Sequence, residues 1–192
     1  MEAKTEKTVS LVPAEGTLLE MLRELYLEAF PAEERKPFFI MEELCRKGQM
    51  EMLAILEGDT FIGLDINMLA PGTDLCLLDY FAIAPSVRGG GYGSAALKCI
   101  CERFAGQQFI FEIEPEDEVA DNAEQRRRRK AFYLRNGLRE SGLFVSLFGV
   151  PFELLSTKQG LRYEDYTKVL AATLGSDYFA MADPRLLHKE IC

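Results

Sequence analysis

The strongest chemical signal in this sequence comes from four closely spaced glycines: Gly89, Gly90, Gly91 and Gly93. They stand between an apolar run at residues 75–84 and a segment at 93–104 whose apolar residues follow helical spacing. Glycine adopts backbone conformations that a Cβ forbids, so consecutive N–H groups can point at one place. The helix that follows adds its unpaired N–H groups and the positive end of its dipole. The loop is therefore predicted to bind phosphate or pyrophosphate.

Two common nucleotide-binding loops fit this pattern only partly. A P-loop needs Lys followed by Ser or Thr after its last glycine, whereas Ser94 follows Gly93 directly, which excludes that loop. Residues 91–96 match the G-x-G-x-x-A pattern of a Rossmann turn, and Glu112 follows at a plausible distance. In a Rossmann turn the first glycine follows the strand almost directly, whereas residues 85–88 intervene here. Dinucleotide binding is therefore kept only as an alternative.

The stretch from Arg88 to Gly93 has the form R-x-x-G-x-G and follows the end of an apolar strand. It resembles the acetyl-CoA-binding motif of the GNAT superfamily of N-acetyltransferases. The resemblance implies that the loop N–H groups bind the pyrophosphate of acetyl-CoA and that the strand end hydrogen-bonds the pantetheine arm. The cofactor-binding residues that it implies are Phe81, Ala82, Ile83, Arg88, Gly89, Gly90, Gly91, Tyr92, Gly93 and Ser94. Arg88 either contacts the pyrophosphate or braces the loop.

A second block resembles the family's helix that ends in Tyr-x-x-x-Gly-Phe, because Tyr133 and Gly137 have the required separation. Gly137 is also typical of the residue that ends a helix. Arg126 and Arg129 stand where the family often has Asn and Ala, and Leu138 replaces the usual Phe.

A softer similarity lies at residues 30–38, which resemble a loop that many acetyltransferases place between their first two helices, beside the acceptor site. The resemblance covers roughly residues 8–157.

The spacing of apolar and turn residues predicts the elements that position these motifs. Strands are predicted at residues 9–12, 51–57, 60–69, 75–84, 107–114, 143–148 and 152–155, and helices at 18–29, 39–47, 93–104, 121–136 and 161–174. Thr17 and Asp121 are predicted to cap their helices, and Gly175 to end the last one. Residues 176–192 are expected to be irregular.

These elements predict an α/β fold with a mixed sheet. The strands at 75–84 and 107–114 are joined by a helix and should be parallel, and the other strands can be antiparallel. The arrangement is similar to the GNAT-type fold, a mostly antiparallel sheet with a central parallel pair flanked by helices. The resemblance implies that this pair splays apart to admit the cofactor.

We expect residues 1–157 to form the acetyltransferase domain and residues 158–192 to form a C-terminal helix and tail. The tail segment is rich in apolar residues, unlike a disordered tail. It is therefore expected to pack on its own domain, near residues 30–38, with a dimer interface as the close alternative.

Amine acetylation needs an acid for the departing thiolate and a base for the amine. The resemblance implies Tyr133 as the acid, and the alternative is an aromatic that packs its helix against the sheet. Strand alternation puts Glu112 and Glu114 on one face at a strand end, and Glu112 is favoured as the base. Asp79 is another candidate, since it is the only charge in the run at 75–84, where an unpaired charge would cost about 2–5 kcal/mol. The structural alternatives are a paired carboxylate for Asp79 and salt bridges from the basic run at 126–130 for Glu112.

The reaction expected from the resemblance is direct transfer of an acetyl group from acetyl-CoA to a primary amine of a small molecule or a protein, in a ternary complex. No cysteine has a histidine neighbour in sequence that would suggest an acyl-enzyme route. The alternative is a non-catalytic acyl-CoA-binding sensor or interaction module of the same fold.

Composition limits the partners and the compartment. The net charge of −9 disfavours nucleic acid. The run from Glu112 to Glu124 holds seven acids and no base, which indicates either a solvated loop or a field that attracts a cationic acceptor. No apolar window of about eighteen residues predicts a membrane span, and the N-terminus lacks the apolar core of a signal peptide. Five scattered cysteines and the single His188 predict a reduced, cytoplasmic protein without a metal site.

Overall fold

The computed structural model describes residues 7–188, which form five α-helices and eight strands. In chain order these are β1 (Ser10–Pro13), α1 (Thr17–Ala29), α2 (Phe38–Arg46), β2 (Met50–Glu57), β3 (Thr60–Leu69), β4 (Leu75–Ile83), α3 (Tyr92–Arg103), β5 (Gln108–Ile113), α4 (Ala123–Arg135), β6 (Arg139–Leu147), β7 (Val150–Ser156), α5 (Tyr163–Ala182) and β8 (Arg185–Leu187). All the predicted helices and strands are present. None of the helices between residues 7 and 188 combines the length and apolar character needed to cross a membrane.

The eight strands form one sheet in the order β1-β2-β3-β4-β5-β7-β6-β8. Strands β4 and β5 run parallel, with Leu75 opposite Gln108 and Leu78 opposite Phe111, because the chain returns through α3 before it enters β5. The pairs β1–β2, β5–β7, β6–β7 and β6–β8 are antiparallel. The predicted α/β class, with a mostly antiparallel sheet and one parallel pair, is confirmed. The splay between β4 and β5 stays a prediction.

Two compact units can be distinguished in the described chain, residues 7–67 with 79–103 and residues 68–78 with 104–188. In the first unit, α1 buries Leu22, Leu25 and Tyr26. The Tyr26 ring lies edge-on against Tyr80 of β4, with ring centroids 4.8 Å apart. A buried cluster packs the start of α3 onto the strands, and its members are Ile55, Ile62, Ile83, Tyr92 and Ala96.

In the second unit, β5 separates two helices. The Phe111 ring contacts Tyr133 of α4, with centroids 5.5 Å apart. The next residue, Glu112, accepts a hydrogen bond from Tyr166 of α5. Successive side chains of a strand point to opposite faces, so α4 and α5 cover opposite faces of β5.

Both predicted N-caps are wrong by one residue. Helix α1 begins at Thr17 itself, and its N-cap is Gly16 with φ 51° and no side-chain cap. A glycine with positive φ turns the chain sharply into the helix, which leaves Thr17 inside the first turn. The N-cap of α4 is Asn122 rather than Asp121.

The chain beyond Gly175 is regular, which corrects the expectation of an irregular tail. Helix α5 kinks at Gly175 (φ 71°, ψ 168°) and continues to Ala182, and β8 then pairs with β6. The Phe148 N–H donates to the Ala182 carbonyl at 2.7 Å and ties the helix end to the sheet. These long-range bonds stabilise a short strand that has no signal of its own in the sequence. Residues 189–192, with Cys192, lie outside the described residues.

Candidate functional site

The glycine loop (residues 84–93) joins β4 to α3 and is exposed from Gly89 to Gly91. Gly89 and Gly91 have φ values of +81° and +89°, which residues with a Cβ rarely adopt. Gly90 is restricted by space instead, since a Cβ there would lie 3.1 Å from the Tyr92 ring. The positive φ values favour glycine at positions 89 and 91, and a side chain at position 90 would require the Tyr92 ring to shift.

The glycine loop and the first turn of α3 present a group of unpaired backbone donors. Within residues 7–188, no acceptor receives a hydrogen bond from the N–H groups of Gly89, Gly91, Tyr92, Gly93 and Ser94. The hydrogen-bond ladder of the helix starts at Ala95, whose N–H donates to the Gly91 carbonyl. Because the positive end of the α3 dipole lies at the same place, the arrangement favours an anion such as phosphate.

The side chains of Arg88 and Tyr92 make hydrogen bonds that hold the glycine loop in place. Arg88 Nε donates to the Ile83 carbonyl at 2.9 Å, which is the bracing role that the sequence left open. The buried Tyr92 hydroxyl donates to Glu57 at 2.5 Å and accepts from Lys7 at 2.7 Å. With its side chain held in this way, Tyr92 can offer a ligand its backbone N–H.

The end of β4 lies very close to β3. A Cβ at Gly63 would lie 2.6 Å from the Ala82 carbonyl oxygen, and the Ala84 N–H donates to the Ile62 carbonyl at 2.9 Å. Phe81 is half-buried against the cluster beneath α3. This strand end is therefore held in place by backbone contacts with β3.

Asp79 has a cationic partner in the loop between α1 and α2. Lys36 Nζ lies 2.6 and 2.9 Å from its two carboxylate oxygens. The Tyr80 hydroxyl donates to the Glu34 carbonyl at 2.8 Å, and the Tyr26 hydroxyl donates to the Lys36 carbonyl at 3.0 Å. Burial raises the pKa of both tyrosines, so both hydroxyls stay protonated. Asp79 is thus the paired carboxylate that the sequence left as an alternative.

Glu114 lies just beyond β5 and is bound by two arginines of α4. Arg126 and Arg129 approach its carboxylate to 3.2 and 2.7 Å. Arg127 and Arg128, which lie between these two in sequence, pair with Glu124. The basic run is therefore spread around its helix and paired with nearby acids, as its spacing predicted.

A buried ion pair that the sequence did not suggest joins α4 to β7. Lys130 Nζ lies 2.9 Å from the Glu153 carboxylate, whose side chain is 3% exposed. Burial raises the pKa of Glu153, and the contact with Lys130 opposes that shift. Glu153 is the only charged residue in the apolar run at 150–155, and this isolation is the signal that could have predicted its buried ion pair.

The two residues predicted to transfer protons lie on opposite faces of β5. Glu112 is half-buried on the face that α5 covers, and it accepts a hydrogen bond from the Tyr166 hydroxyl at 2.6 Å. Tyr133 is half-buried on the other face, where its ring contacts Phe111. Sequence reasoning missed the contact between Tyr166 and Glu112, because only the packing of α5 brings this hydroxyl to the sheet.

The structure divides the predicted site residues between the two units. The first unit contains Asp79 and the predicted cofactor-binding residues at 81–83 and 88–94, and the second contains Glu112, Glu114 and Tyr133. Across the described chain, no group of three or more His, Cys, Asp and Glu side chains is arranged to hold a metal ion. His188 is exposed.

A model of the acetyltransferase (GNAT) family matches residues 19–137. No curated protein sequence matches this chain significantly. Among solved structures, a Bacteroides thetaiotaomicron protein assigned to the GNAT family superposes with a TM-score of 0.65 at 26% identity, over 82% of this chain and 91% of its own.

Two more distant structures show the same fold. Spermidine N-acetyltransferase from Vibrio cholerae, in complex with CoA and spermine, has a TM-score of 0.61 at 11% identity and covers 78% of this chain and 94% of its own. RimL, a ribosomal L7/L12 α-N-protein acetyltransferase, has a TM-score of 0.56 at 17% identity and covers 80% of this chain and 96% of its own.

Proposed function

Because this chain belongs to the GNAT family of acetyltransferases, we propose that it transfers an acetyl group from acetyl-CoA to a primary amine by direct attack in a ternary complex. The observation that carries the proposal is the group of unpaired N–H groups between Gly89 and Ser94. Pyrophosphate is an anion that such donors bind at the start of a helix. The Vibrio cholerae neighbour, which holds CoA, supports this choice of ligand.

Different parts of the first unit would hold different parts of the cofactor. The N–H groups of the glycine loop would bind the pyrophosphate, and the backbone of residues 81–83 would bind the pantetheine arm. Arg88 would act indirectly, because its contact with the Ile83 carbonyl braces the loop. The close packing of Gly63 against Ala82 supports a rigid strand end for this purpose.

In the proposed reaction, the neutral amine attacks the carbonyl carbon of the thioester. The C–N bond forms and the C–S bond to CoA breaks. A proton of the amine passes to Glu112, and the departing thiolate takes a proton from Tyr133. The net change is one proton moved from nitrogen to sulfur, and exchange with solvent restores both side chains.

Glu112 is proposed as the base because of its place near the end of β5, as the strand pattern predicted. Asp79 is paired with Lys36, Glu114 is paired with two arginines, and Glu112 accepts a hydrogen bond from Tyr166.

The proposed acceptor is a cationic amine, because a net charge of −9 attracts positively charged molecules. The neighbours with related folds act on a polyamine and on a protein N-terminus, which defines a useful panel of probes. Cytoplasmic location and dimer formation stay predictions.

Release of CoA thiol from acetyl-CoA tests the proposal, with spermidine, an N-blocked lysine peptide and a peptide with a free N-terminus as acceptors. We expect at least one acceptor to raise the rate above the hydrolysis seen without amine. Binding of acetyl-CoA without any amine-dependent release would favour the non-catalytic acyl-CoA sensor. Failure to bind acetyl-CoA would contradict both functions.

A further inference from the structure

Helix α5 lies outside the segment that the family model matches, yet it reaches one of the proposed catalytic groups. The matched segment ends at residue 137, and α5 begins at Tyr163. From this helix, the hydroxyl of Tyr166 donates to Glu112 Oε1 at 2.6 Å. That length is typical of a charge-assisted O–H···O⁻ bond, which is stronger than a bond between neutral groups.

Tyr166 is held rigidly where it makes this bond. Its side chain is 0% exposed, and Val169 and Leu170, on the same side of α5, are also buried. The start of the helix is fixed by the Asp165 carboxylate, which accepts hydrogen bonds from the backbone N–H and the guanidinium of Arg162. A tyrosine has only two rotatable side-chain bonds, so its hydroxyl is a well-defined anchor.

The position of Glu112 explains why such an anchor matters for chemistry. A general base works only when its carboxylate lies within hydrogen-bond reach of the proton that it removes. Glu112 is half-buried and lies near the end of β5, and its side chain has several rotatable bonds. A fixed donor at one oxygen restricts the orientation of the whole carboxylate.

We propose that Tyr166 is a positioning residue that holds Glu112 in the orientation needed to accept a proton from the amine. The C-terminal helix is then part of the acetyl-transfer machinery, in addition to covering the sheet. This inference rests on the proposed function, in which Glu112 is the base. The competing explanation is that Glu112 only satisfies a buried hydroxyl.

The central test is Tyr166→Phe in the full chain, which keeps the ring and removes only the hydroxyl. The measurements are kcat, the KM of the amine, the affinity for acetyl-CoA and the melting temperature, with the panel amine that the wild type turns over fastest. We expect kcat to fall roughly 10-fold because the base is less well oriented, with acetyl-CoA affinity unchanged.

Two control variants separate positioning from stability. Tyr163→Phe, on α5, removes a hydroxyl that donates to the Pro184 carbonyl and should keep the wild-type kcat. Leu53→Ala, in β2, removes buried methyl groups and should lower the melting temperature while keeping kcat. If Leu53→Ala lowers kcat as much as Tyr166→Phe does, the loss follows from stability, and the proposal is overturned.

A double-mutant cycle shows whether Tyr166 acts through Glu112. Glu112→Gln should lower kcat by about 10²-fold or more, as expected for a lost general base. Adding Tyr166→Phe to this variant should cause no further loss. A further loss of the same size in the double variant would mean that Tyr166 acts independently, and the inference would be wrong.

The same measurements distinguish this inference from the function on which it rests. Wild-type turnover in Tyr166→Phe, together with a strong loss in Glu112→Gln, overturns the inference and leaves the proposed function standing. Wild-type turnover in Glu112→Gln removes Glu112 as the base and overturns the inference, while acetyl transfer to an amine stands. No amine-dependent turnover in the wild type would overturn the proposed function itself.

Discussion

Lys36 and Asp79 form an ion pair in which Lys36 Nζ contacts both carboxylate oxygens, at 2.6 and 2.9 Å. The Asp79 side chain is only 9% exposed, so the pair explains how a charge is tolerated in an apolar strand. The backbone of the same lysine is held by the Tyr80 and Tyr26 hydroxyls. Together these contacts fix the loop that the sequence predicted to lie beside the acceptor.

The first prediction concerns this ion pair. Asp79→Asn should lower the free energy of unfolding by about 1–3 kcal/mol, because Lys36 loses a charged partner in a partly buried site. The KM of the amine should rise because the loop loosens, while acetyl-CoA affinity should stay unchanged. Denaturant unfolding and steady-state kinetics measure these effects. Asp59→Asn, at an exposed turn, is the control. An unchanged KM of the amine in Asp79→Asn would show that the loop does not contribute to acceptor binding.

The second prediction concerns the proposed acid. Tyr133→Phe keeps the ring contact with Phe111 and removes only the proton donor. Turnover should fall by roughly 10²-fold, while acetyl-CoA affinity stays within about twofold of the wild type. Tyr178→Phe, at an exposed position of α5, should behave as the wild type. Equal turnover in Tyr133→Phe would leave the tyrosine with a packing role only.

The third prediction concerns stability against pH and rests on Asp65, which is fully buried in β3. Burial raises the pKa of Asp65 to about 7 from its usual value of 3.8, and the hydrogen bond from Asn67 opposes this shift. Glu51 adds to the increase and Arg103 reduces it. At a pH between the unfolded-state pKa of 3.8 and the folded-state pKa of about 7, Asp65 is protonated in the folded state and ionised in the unfolded state. The contribution of Asp65 to stability is therefore lost as pH rises from about 4 to about 7.

Asp65→Asn should remove this loss and supply a donor close to Asn67 Oδ1, which has no partner among the described residues. The variant should therefore gain stability relative to the wild type as pH rises from 5 to 8. Urea unfolding of both proteins at the two pH values measures the difference. A difference that does not change with pH would show that Asp65 does not titrate in this range.

The fourth prediction concerns the close approach of β3 and β4. Gly63→Ala would place a methyl group 2.6 Å from the Ala82 carbonyl oxygen, so the strands must move apart. We expect a loss of about 1–3 kcal/mol of stability and weaker acetyl-CoA binding. Gly106→Ala, where no atom lies within 4 Å, is the matched control. Unfolding curves and calorimetry that show equal behaviour for both variants would contradict this account of the strand end.

Local patterns in the sequence predicted most of the helices and strands, because apolar periodicity and glycine turns depend only on residues close together in the chain. The glycine loop was identified for the same reason, because its glycines and the helix that follows are contiguous. Long-range partners left no such pattern. Asp79 meets Lys36 across 43 residues, and Glu112 meets Tyr166 across 54. An isolated charge in an apolar strand indicated that Asp79 needed a partner, but only the folded chain shows which one.

The end of α5 illustrates a different limit. Gly175 is a normal helix stop, and its φ of 71° does interrupt the helix. The chain nevertheless continues as helix to Ala182 and then forms β8, because β6 offers an edge with which Leu186 and its neighbours can pair. Such a pairing depends on the sheet, which local sequence rules do not describe.

The measurement that tests the central claim most directly is calorimetric titration of acetyl-CoA into the wild type and two glycine variants. Gly91→Glu places a carboxylate among the unpaired N–H groups, whereas Gly72→Glu makes the same change in the β3–β4 turn. Both positions have positive φ and open space, so the backbone strain is matched. We predict that the wild type and Gly72→Glu bind acetyl-CoA and that Gly91→Glu does not. Equal binding by Gly91→Glu, or a wild type that binds NAD but not acetyl-CoA, would contradict the account.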